Sequence, residues 1–171
     1  FLVLSIIWRI NARKYISSGT VASAYDAWTQ DKLLERLWGE HIHLGFYPSG
    51  KKNIDFRNAK VQFVHELVKW SGLDKLPKGS RILDVGCGIG GSSRILAKYY
   101  GFNVTGITIS PAQVKRAREL TPIGLNCNFQ VMDALNLKFE DGSFDAVWSV
   151  EAGAHMNDCL LYTSPSPRDK R

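Results

Sequence analysis

The segment 84–93, with the sequence DVGCGIGGSS, carries the clearest chemical signal in the chain. Its glycines at 86, 88 and 91 have the G-x-G-x-x-G spacing, which lets a backbone approach a bound ligand closely where a strand leads into a helix. Such a loop can hold the pyrophosphate of a dinucleotide on backbone amides and a helix N-terminus. It can equally hold a nucleoside ligand without a phosphate, so the spacing alone leaves the ligand open.

Polar residues after the predicted strands favour S-adenosylmethionine over a nicotinamide dinucleotide. Dinucleotide sites place an acid at the end of the second strand, about 20 residues past the loop, but here the sequence has Thr108 and no carboxylate. Asp84, directly before the loop, suits a ligand with an ammonium group and would repel a pyrophosphate. Asp133 and Ala134 follow the third strand, where they suit the amino group and a ring nitrogen of adenine. A nicotinamide dehydrogenase remains the alternative from a different class.

Candidate acid–base residues follow the fourth predicted strand. Glu151 and His155 are four residues apart and share a face if that segment is helical. Side chains of these types can act as a general acid or base toward a group on a bound substrate. His155 is the first candidate base and His43 the second, with Glu151 beside them; a lone histidine is more often structural, and that alternative stays open.

Short apolar runs alternate with helical patterns in the second half of the chain. We predict strands at 81–85, 103–108, 128–132 and 144–150, and helices at 92–100 and from 111 onward. Ser110, Pro111 and Gln113 have the pattern of a capped helix start, with Gln113 as the capping-box partner of Ser110. The alternation predicts an α/β protein with a doubly wound parallel sheet, whose ligands bind at the carboxyl ends of the strands.

The first half of the chain has helical patterns only. We predict helices at 20–38 and 56–70, the second stopped by Gly72, with a loop at 39–50 rich in aromatic residues and histidine. The formal charge of +6 is concentrated at the two ends, and residues 16–158 hold 16 basic and 15 acidic side chains. The sequence therefore predicts no nucleic-acid partner. The three scattered cysteines form no C-x-x-C pair, which predicts no metal site.

The two ends have unusual sequences. The apolar run FLVLSIIW at 1–8, followed by Arg9, Arg13 and Lys14, favours the end of a longer membrane anchor, with a hydrophobic strand or a signal-peptide remnant as alternatives. The segment 159–171, CLLYTSPSPRDKR, resembles a translated sequencing adapter more than a disordered basic tail. We therefore expect the natural sequence to continue differently beyond Asp158.

Four blocks of the sequence resemble the class I S-adenosylmethionine-dependent methyltransferases, and within them the family that methylates 2-methyl-6-phytylbenzoquinol and tocopherols. They are the glycine-loop block ILDVGCGIGGSS, its continuation RILAKYYGFNVTGITISPAQVKRA, the aromatic loop WGEHIHLGFY and the segment WSVEAGAHMND. The resemblance covers residues 15–158. It implies a Rossmann-like sheet, here truncated after the fourth strand, with an N-terminal helical cap.

The resemblance also implies roles for individual residues. Gly86, Gly88 and Gly90 match the loop whose backbone approaches the methionine part of the cofactor, although a tight strand–helix turn needs the same glycines. Thr108 and Gln113 match a segment that replaces the usual ribose-binding acid, and the capping-box role of Gln113 is an equal alternative.

The resemblance also bears on Asp133, on Tyr25 with the segment 41–47, and on Ala154. Asp133 would bind adenine, with a simple strand-end role as its alternative. Tyr25 and the segment 41–47 resemble a lid over the methionine end of the cofactor, although an aromatic helix face is more often packing. Many relatives have an acid directly before the residue that matches His155, whereas this chain has Ala154 there.

The implied function is C-methylation of a prenylated benzoquinol in tocopherol or plastoquinone synthesis, with S-adenosylmethionine as cofactor and a lipophilic small molecule as acceptor. Another acceptor, such as γ-tocopherol, a sterol, a small amine or an acyl chain, is the alternative. The enzyme would associate with a membrane and face the cytoplasm or the chloroplast stroma. The predicted organisation is an anchor remnant at 1–15, a helical cap and lid at 16–79, the cofactor-binding domain at 80–158 and the adapter-like tail at 159–171.

Overall fold

The structure, a computed structural model, describes residues 18–49 and 53–153. Its helices are α1 (Ser18–Gln30), α2 (Leu33–Trp38), α3 (Phe56–Ser71), α4 (Gly91–Tyr100) and α5 (Pro111–Leu120), with a short 3-10 helix at Leu73–Lys75. Its strands are β1 (Arg81–Val85), β2 (Asn103–Thr108), β3 (Cys127–Val131) and β4 (Ala146–Trp148).

The four strands form one parallel sheet in the order β3-β2-β1-β4. Asp84 of β1 is in register with Gly106 of β2 and with Trp148 of β4, so these positions share one face of the sheet. The sheet order changes direction beside β1, and the first glycine of the loop follows this strand directly. Ligands bind at such a switch point in open α/β sheets. The predicted Rossmann-like class is confirmed.

The two faces of the sheet are covered differently. On the Asp84 face, a core cluster joins Ile82 and Val104 to Val64 and Val68 of α3 and Leu96 of α4. On the same face, α5 packs its Val114 and Ala117 against Phe129 of β3. On the opposite face, Leu83, Val85 and Ile107 pack against side chains of the segment 132–144. Both faces of the central strands are therefore apolar, which explains the continuous apolar runs in the sequence.

The first predicted helix is wrong in one respect: the segment 20–38 forms two helices. The chain breaks at Asp31 and Lys32, where Lys32 has a φ of 54°, outside the right-handed helical region. On either side of the break, both helices are bonded to α5, because Asp26 of α1 accepts from Ser110 and Glu35 of α2 pairs with Arg116. Helical periodicity cannot reveal such a break, because its cause is contact with a distant element.

The other element boundaries differ by one or two residues. Strand β3 covers Cys127–Val131 and not 128–132, and β4 covers only Ala146–Trp148 within the predicted 144–150. The predicted ends of α3 and α4 are confirmed: Gly72 and Gly101 have φ values of 73° and 74° and donate to carbonyls of the last helical turn. Among the described residues, no helix is long and apolar enough to cross a membrane, and the predicted anchor at 1–15 lies outside them.

Candidate active site

A cavity of about 260 Å³ lies at the carboxyl ends of the four strands, beneath α1, α2 and the segment 39–43. Most of the predicted site residues line it: Tyr25, His43, Asp84, Gly86, Gly88, Thr108, Gln113, Asp133, Ala134 and Glu151. Gly90 is not among the lining residues. His155 lies outside the described part of the chain. The structure thus brings together residues from six separate segments, while their roles toward a ligand stay predictions.

The three predicted loop glycines have different surroundings. All have positive φ, at 75° for Gly86, 54° for Gly88 and 81° for Gly90, a region that side chains disfavour. A Cβ at Gly86 would lie 2.4 Å from the Cβ of Ala152, and one at Gly90 would lie 2.6 Å from the ring of Phe129. A Cβ at Gly88 would meet no protein atom within 4 Å. Packing therefore requires glycine at 86 and 90, whereas Gly88 leaves space beside the cavity.

Asp84 is the buried acid of the site. It is 2% exposed, and its Oδ2 accepts a 2.6 Å hydrogen bond from the hydroxyl of Ser93 on α4. Burial raises the pKa of Asp84 to about 6, and the bond from Ser93 opposes that shift only in part. A cationic ligand group in the cavity would favour the ionised form of this carboxyl.

Thr108 and Gln113 form a bonded pair at the start of α5. The hydroxyl of Thr108 donates to Oε1 of Gln113 over 2.7 Å, and the amide of Ser110 donates to Oγ1 of Thr108 over 3.3 Å. Ser110 caps α5, as predicted, because its Oγ accepts from the amide of Gln113. The side chain of Gln113 does not close the predicted capping box, because its oxygen is bonded to Thr108.

Asp133 and Ala134 lie where the chain leaves β3, at another part of the cavity wall. Oδ1 of Asp133 accepts a 2.9 Å hydrogen bond from the amide of Leu135, which fixes the carboxylate in a local turn. Both alternatives for this residue therefore keep support, since it stabilises the strand end and also lines the cavity.

Tyr25 reaches the cavity from α1. Its ring contacts that of Trp28 edge to face, with 5.4 Å between centroids, and both rings line the cavity. Burial raises the pKa of Tyr25, so its phenol stays protonated at neutral pH. The packing alternative and the lid alternative are compatible, because α1 covers the cavity through these rings.

Buried and exposed side chains alternate along the histidine-rich loop. His41 and His43 are 8% and 9% exposed, whereas Ile42 and Leu44 are 48% and 73% exposed. Such alternation is typical of an extended chain with one buried side. Nε2 of His43 lies 3.1 Å from Nδ1 of His41, and Nδ1 of His43 lies 2.7 Å from the carbonyl oxygen of Leu44. Burial lowers the pKa of His41 to about 3 and also lowers that of His43.

Glu151 connects the end of β4 to this loop. Its Oε1 accepts a 3.1 Å hydrogen bond from the amide of Leu44, and its backbone has a φ of 55°. A residue with this φ is not part of a right-handed helix. Glu151 therefore does not lie on a helical face, as it would have to if it shared one with His155.

Several contacts around the cavity were not predicted from the sequence. Arg94 of α4 donates to Glu40 over 2.6 Å and to the carbonyl of Ile89 over 2.8 Å, which joins the loop to the glycine turn. Lys60 of α3, 5% exposed, donates to the carbonyl of His41 over 2.8 Å. The sequence contains one signal for these contacts: Arg94 is a charged residue next to the apolar residues 95–97 of its helix.

Comparison with known proteins also identifies this chain as similar to methyltransferases. Residues 82–161 match a family described as "Methyltransferase domain". The chain is 62% identical over 156 residues to 2-methyl-6-phytyl-1,4-hydroquinone methyltransferase of Synechocystis sp., covering 91% of this chain and 49% of that protein. It is 43% identical over 136 residues to the chloroplastic tocopherol O-methyltransferase of Arabidopsis thaliana, covering 74% and 39%. The chain thus spans half or less of the length of these curated relatives.

Solved structures share the architecture. The cyclase SpnF superposes with a TM-score of 0.70 at 28% identity, over 82% of this chain and 52% of that one. Phosphoethanolamine N-methyltransferase 2 of Haemonchus contortus, in complex with phosphomonomethylethanolamine and S-adenosylhomocysteine, superposes with a TM-score of 0.55 at 26% identity, over 72% and 26%. S-adenosylmethionine is the cofactor of the matched family, which decides against the nicotinamide alternative. On these matches and on its parallel sheet, glycine loop and strand-end cavity, the chain belongs to the class I S-adenosylmethionine-dependent methyltransferases.

Proposed function

We propose that the protein, at its full length, transfers a methyl group from S-adenosylmethionine to a ring carbon of a prenylated benzoquinol. The observation that carries this proposal is the 62% identity to an enzyme named for 2-methyl-6-phytyl-1,4-hydroquinone, over 91% of this chain. The relative named for tocopherol is less similar, at 43% identity. The strand-end cavity supports the proposal, because it combines the residues expected for the donor with an apolar wall.

The donor half of the cavity is lined by the residues that we expect to hold this cofactor. S-adenosylmethionine supplies a methyl group already activated on a sulfonium. The protein therefore has to bind and orient the methyl donor and the acceptor and to exclude water from them. The open space beside Gly88 lets the backbone approach the ligand. The carboxylate of Asp84 would accept from the ammonium group, and Thr108 with Gln113 would contact the ribose hydroxyls. Asp133 and Ala134 would contact the adenine.

The acceptor half has an apolar wall and the exposed acid Glu151. Trp28, Leu34 and Val150 line the cavity and suit an aromatic ring with a prenyl chain. As the ring carbon bonds to the methyl group, the bond from methyl to sulfur breaks, and a proton then leaves that ring carbon. A base near the phenolic hydroxyl would raise the electron density of the ring before this step.

Glu151 is the best candidate base among the described residues. Its Oε1 accepts from Leu44, and Oε2 has no hydrogen bond within residues 18–49 and 53–153. His43 suits this role less well, because both of its ring nitrogens have partners in the loop. His155, the first candidate from the sequence, stays a proposed base, and it lies outside the described residues.

We also propose association with a membrane, since a prenylated quinol resides in lipid. The apolar and basic residues of the segment 1–15 support this location. The Arabidopsis relative is a chloroplastic protein by name, which is consistent with a stromal or cytoplasmic face. The division into an anchor at 1–15, a cap at 16–79 and a cofactor-binding domain at 80–158 is part of the same proposal.

Methyl transfer to a defined acceptor tests the proposal. The full-length protein is incubated with radiolabelled S-adenosylmethionine and either 2-methyl-6-phytylbenzoquinol or γ-tocopherol. We expect a label on the ring of the benzoquinol and a lower rate with γ-tocopherol. Transfer to γ-tocopherol alone would contradict the proposed acceptor, and binding of NAD without S-adenosylhomocysteine would contradict the donor.

A pair of acid variants tests the proposed base. Glu151→Gln should lower the turnover number while leaving the affinity for S-adenosylhomocysteine nearly unchanged. Glu140→Gln, at an exposed position that does not line the cavity, is the matched control. Equal turnover numbers in the two variants would exclude Glu151 as the base.

A further inference from the structure

The hydrogen bonds of the histidine loop determine which ring nitrogens carry protons. A carbonyl oxygen only accepts hydrogen bonds, so Nδ1 of His43, 2.7 Å from the carbonyl of Leu44, carries a proton. A neutral imidazole has one N–H, so Nε2 of His43 is an acceptor. The proton between the two rings, whose nitrogens are 3.1 Å apart, therefore belongs to Nδ1 of His41. By elimination, Nε2 of His41 carries an unshared lone pair.

Both rings are neutral at neutral pH, because the pKa of each histidine lies below its ordinary value. Burial is the largest cause of the lowered pKa of each histidine, and the pKa of His41 falls to about 3. The guanidinium of Arg94 and the ammonium of Lys60 further disfavour a second proton on His41. Glu151 and the Leu44 carbonyl act in the opposite direction, but on His43.

The lone pair of His41 is available to a ligand. His41 lines the cavity, and its Nδ1–Cε1 edge faces Gly91, where an added Cβ would lie 2.8 to 2.9 Å from these atoms. Within the described residues, Nε2 of His41 has no hydrogen-bond partner, and His41 lies at the cavity wall with 8% of its surface exposed. A polar atom in this setting needs a donor from water or from a bound molecule.

We propose that His41 is a positioning residue whose Nε2 accepts one hydrogen bond from an N–H or O–H group of a molecule bound in the cavity. The loop fixes this nitrogen as an acceptor, so a molecule that presents an acceptor at the same place would be rejected. This inference rests on the proposed function for the identity of the two molecules that bring such donors. They are the methyl donor with its ammonium group and the quinol with its hydroxyl.

Matched pairs of ligands test the proposal in the full-length protein. One pair is S-adenosylhomocysteine and its analogue without the amino group; the other is 2-methyl-6-phytylbenzoquinol and its dimethyl ether. In wild type, the donor-bearing member of at least one pair should bind about tenfold more tightly, the usual effect of one hydrogen bond. In His41→Phe that ratio should fall by about tenfold, because only the bond to His41 is lost, and the pair that responds identifies the donor. His65→Phe is the control, since His65 bonds to Tyr100 and does not line the cavity.

The outcomes separate the two proposals. If wild type binds neither quinol nor its ether, the proposed acceptor is wrong, and the S-adenosylhomocysteine pair still tests His41. If both ratios are the same in wild type and in folded His41→Phe, the role of His41 is wrong. A fall of all four affinities by one common factor shows a structural role and also overturns it. Should His41→Phe fail to fold, nitrogen-15 NMR of wild type decides: protons on Nδ1 of both histidines support the proposal, and a proton on Nε2 of His41 overturns it.

Discussion

Asp26 on α1 accepts a hydrogen bond from the hydroxyl of Ser110, the N-cap residue of α5. The same Oδ1 accepts a 3.1 Å bond from the amide of Ala112. A residue of the helical cap thereby completes the capping of the helix that begins beside Thr108 and Gln113. Because Tyr25 is the adjacent residue and lines the cavity, this bond fixes where α1 covers the proposed cofactor site.

Loss of this bond should weaken cofactor binding. We expect Asp26→Ala to lower the free energy of unfolding by about 1 kcal/mol, because two donors at the start of α5 lose their acceptor. The dissociation constant of S-adenosylhomocysteine should rise roughly fivefold, which corresponds to about the same energy. Calorimetric titration measures the affinity and urea denaturation the stability. Asp31→Ala, at the exposed break between α1 and α2, is the control. Equal affinities of the two variants for S-adenosylhomocysteine would show that the bond of Asp26 does not influence cofactor binding.

A side chain at Gly88 should affect binding much more than folding. Gly88 and Gly142 both have positive φ, at 54° and 72°, and an added Cβ meets no protein atom at either. Alanine at either position should cost about 1 kcal/mol of stability from the backbone conformation. Only at 88 does the methyl group enter the cavity, so Gly88→Ala should weaken S-adenosylhomocysteine binding at least about tenfold. Equal binding by Gly88→Ala and Gly142→Ala would show that the ligand does not approach Gly88.

A side chain at Gly90 should have the opposite effect, on folding. The added Cβ would lie 2.6 Å from the buried ring of Phe129, so Gly90→Ala should cost about 3 kcal/mol from overpacking and backbone strain together. Gly124→Ala has a similar φ of 86° with open space around it, and it isolates the backbone part of that cost. Urea denaturation compares the two variants. If the clash is the cause, the additional change Phe129→Leu should recover part of the lost stability; a double variant no more stable than Gly90→Ala argues against it.

Much of the sheet and cavity could be predicted because local patterns determine them. Buried parallel strands appear as short apolar runs, and Ser110 with Pro111 has a clear helix start. Since carboxyl ends of parallel strands meet at one edge, Asp84, Thr108 and Asp133 were expected together, and all three line the cavity.

The unpredicted features depend on distant contacts. The break at Lys32 follows from the bonds of both cap helices to α5, about 80 residues away, and periodicity does not contain them. The bond of Gln113 to Thr108 competes with a capping box that fits the sequence equally well. The pairing of His41 with His43 requires an extended loop, which the sequence does not specify because few of its residues are strong strand formers.

The buried carboxyl of Asp84 should make cofactor binding depend on pH. Its pKa of about 6 lies above the ordinary value of 3.8, so between these values the folded state holds a proton that the unfolded state has lost. Stability should therefore fall as pH rises through this window, by about 3 kcal/mol in total. Ligand binding should change in the reverse direction, because an ammonium group pairs with the ionised carboxyl. The affinity for S-adenosylhomocysteine should rise about tenfold between pH 5 and pH 7.

Titration calorimetry across this range provides the test, with two variants. Asp84→Asn cannot ionise, so its affinity should be lower at pH 7 and nearly independent of pH. Asp145→Asn should keep the wild-type pH profile, because Asp145 pairs with Arg81 at the other end of β1 and does not line the cavity. The pKa of His41, at about 3, keeps that residue out of the window. A rise in affinity with pH that persists in Asp84→Asn would assign the dependence to another group and leave Asp84 without a role in binding the ammonium.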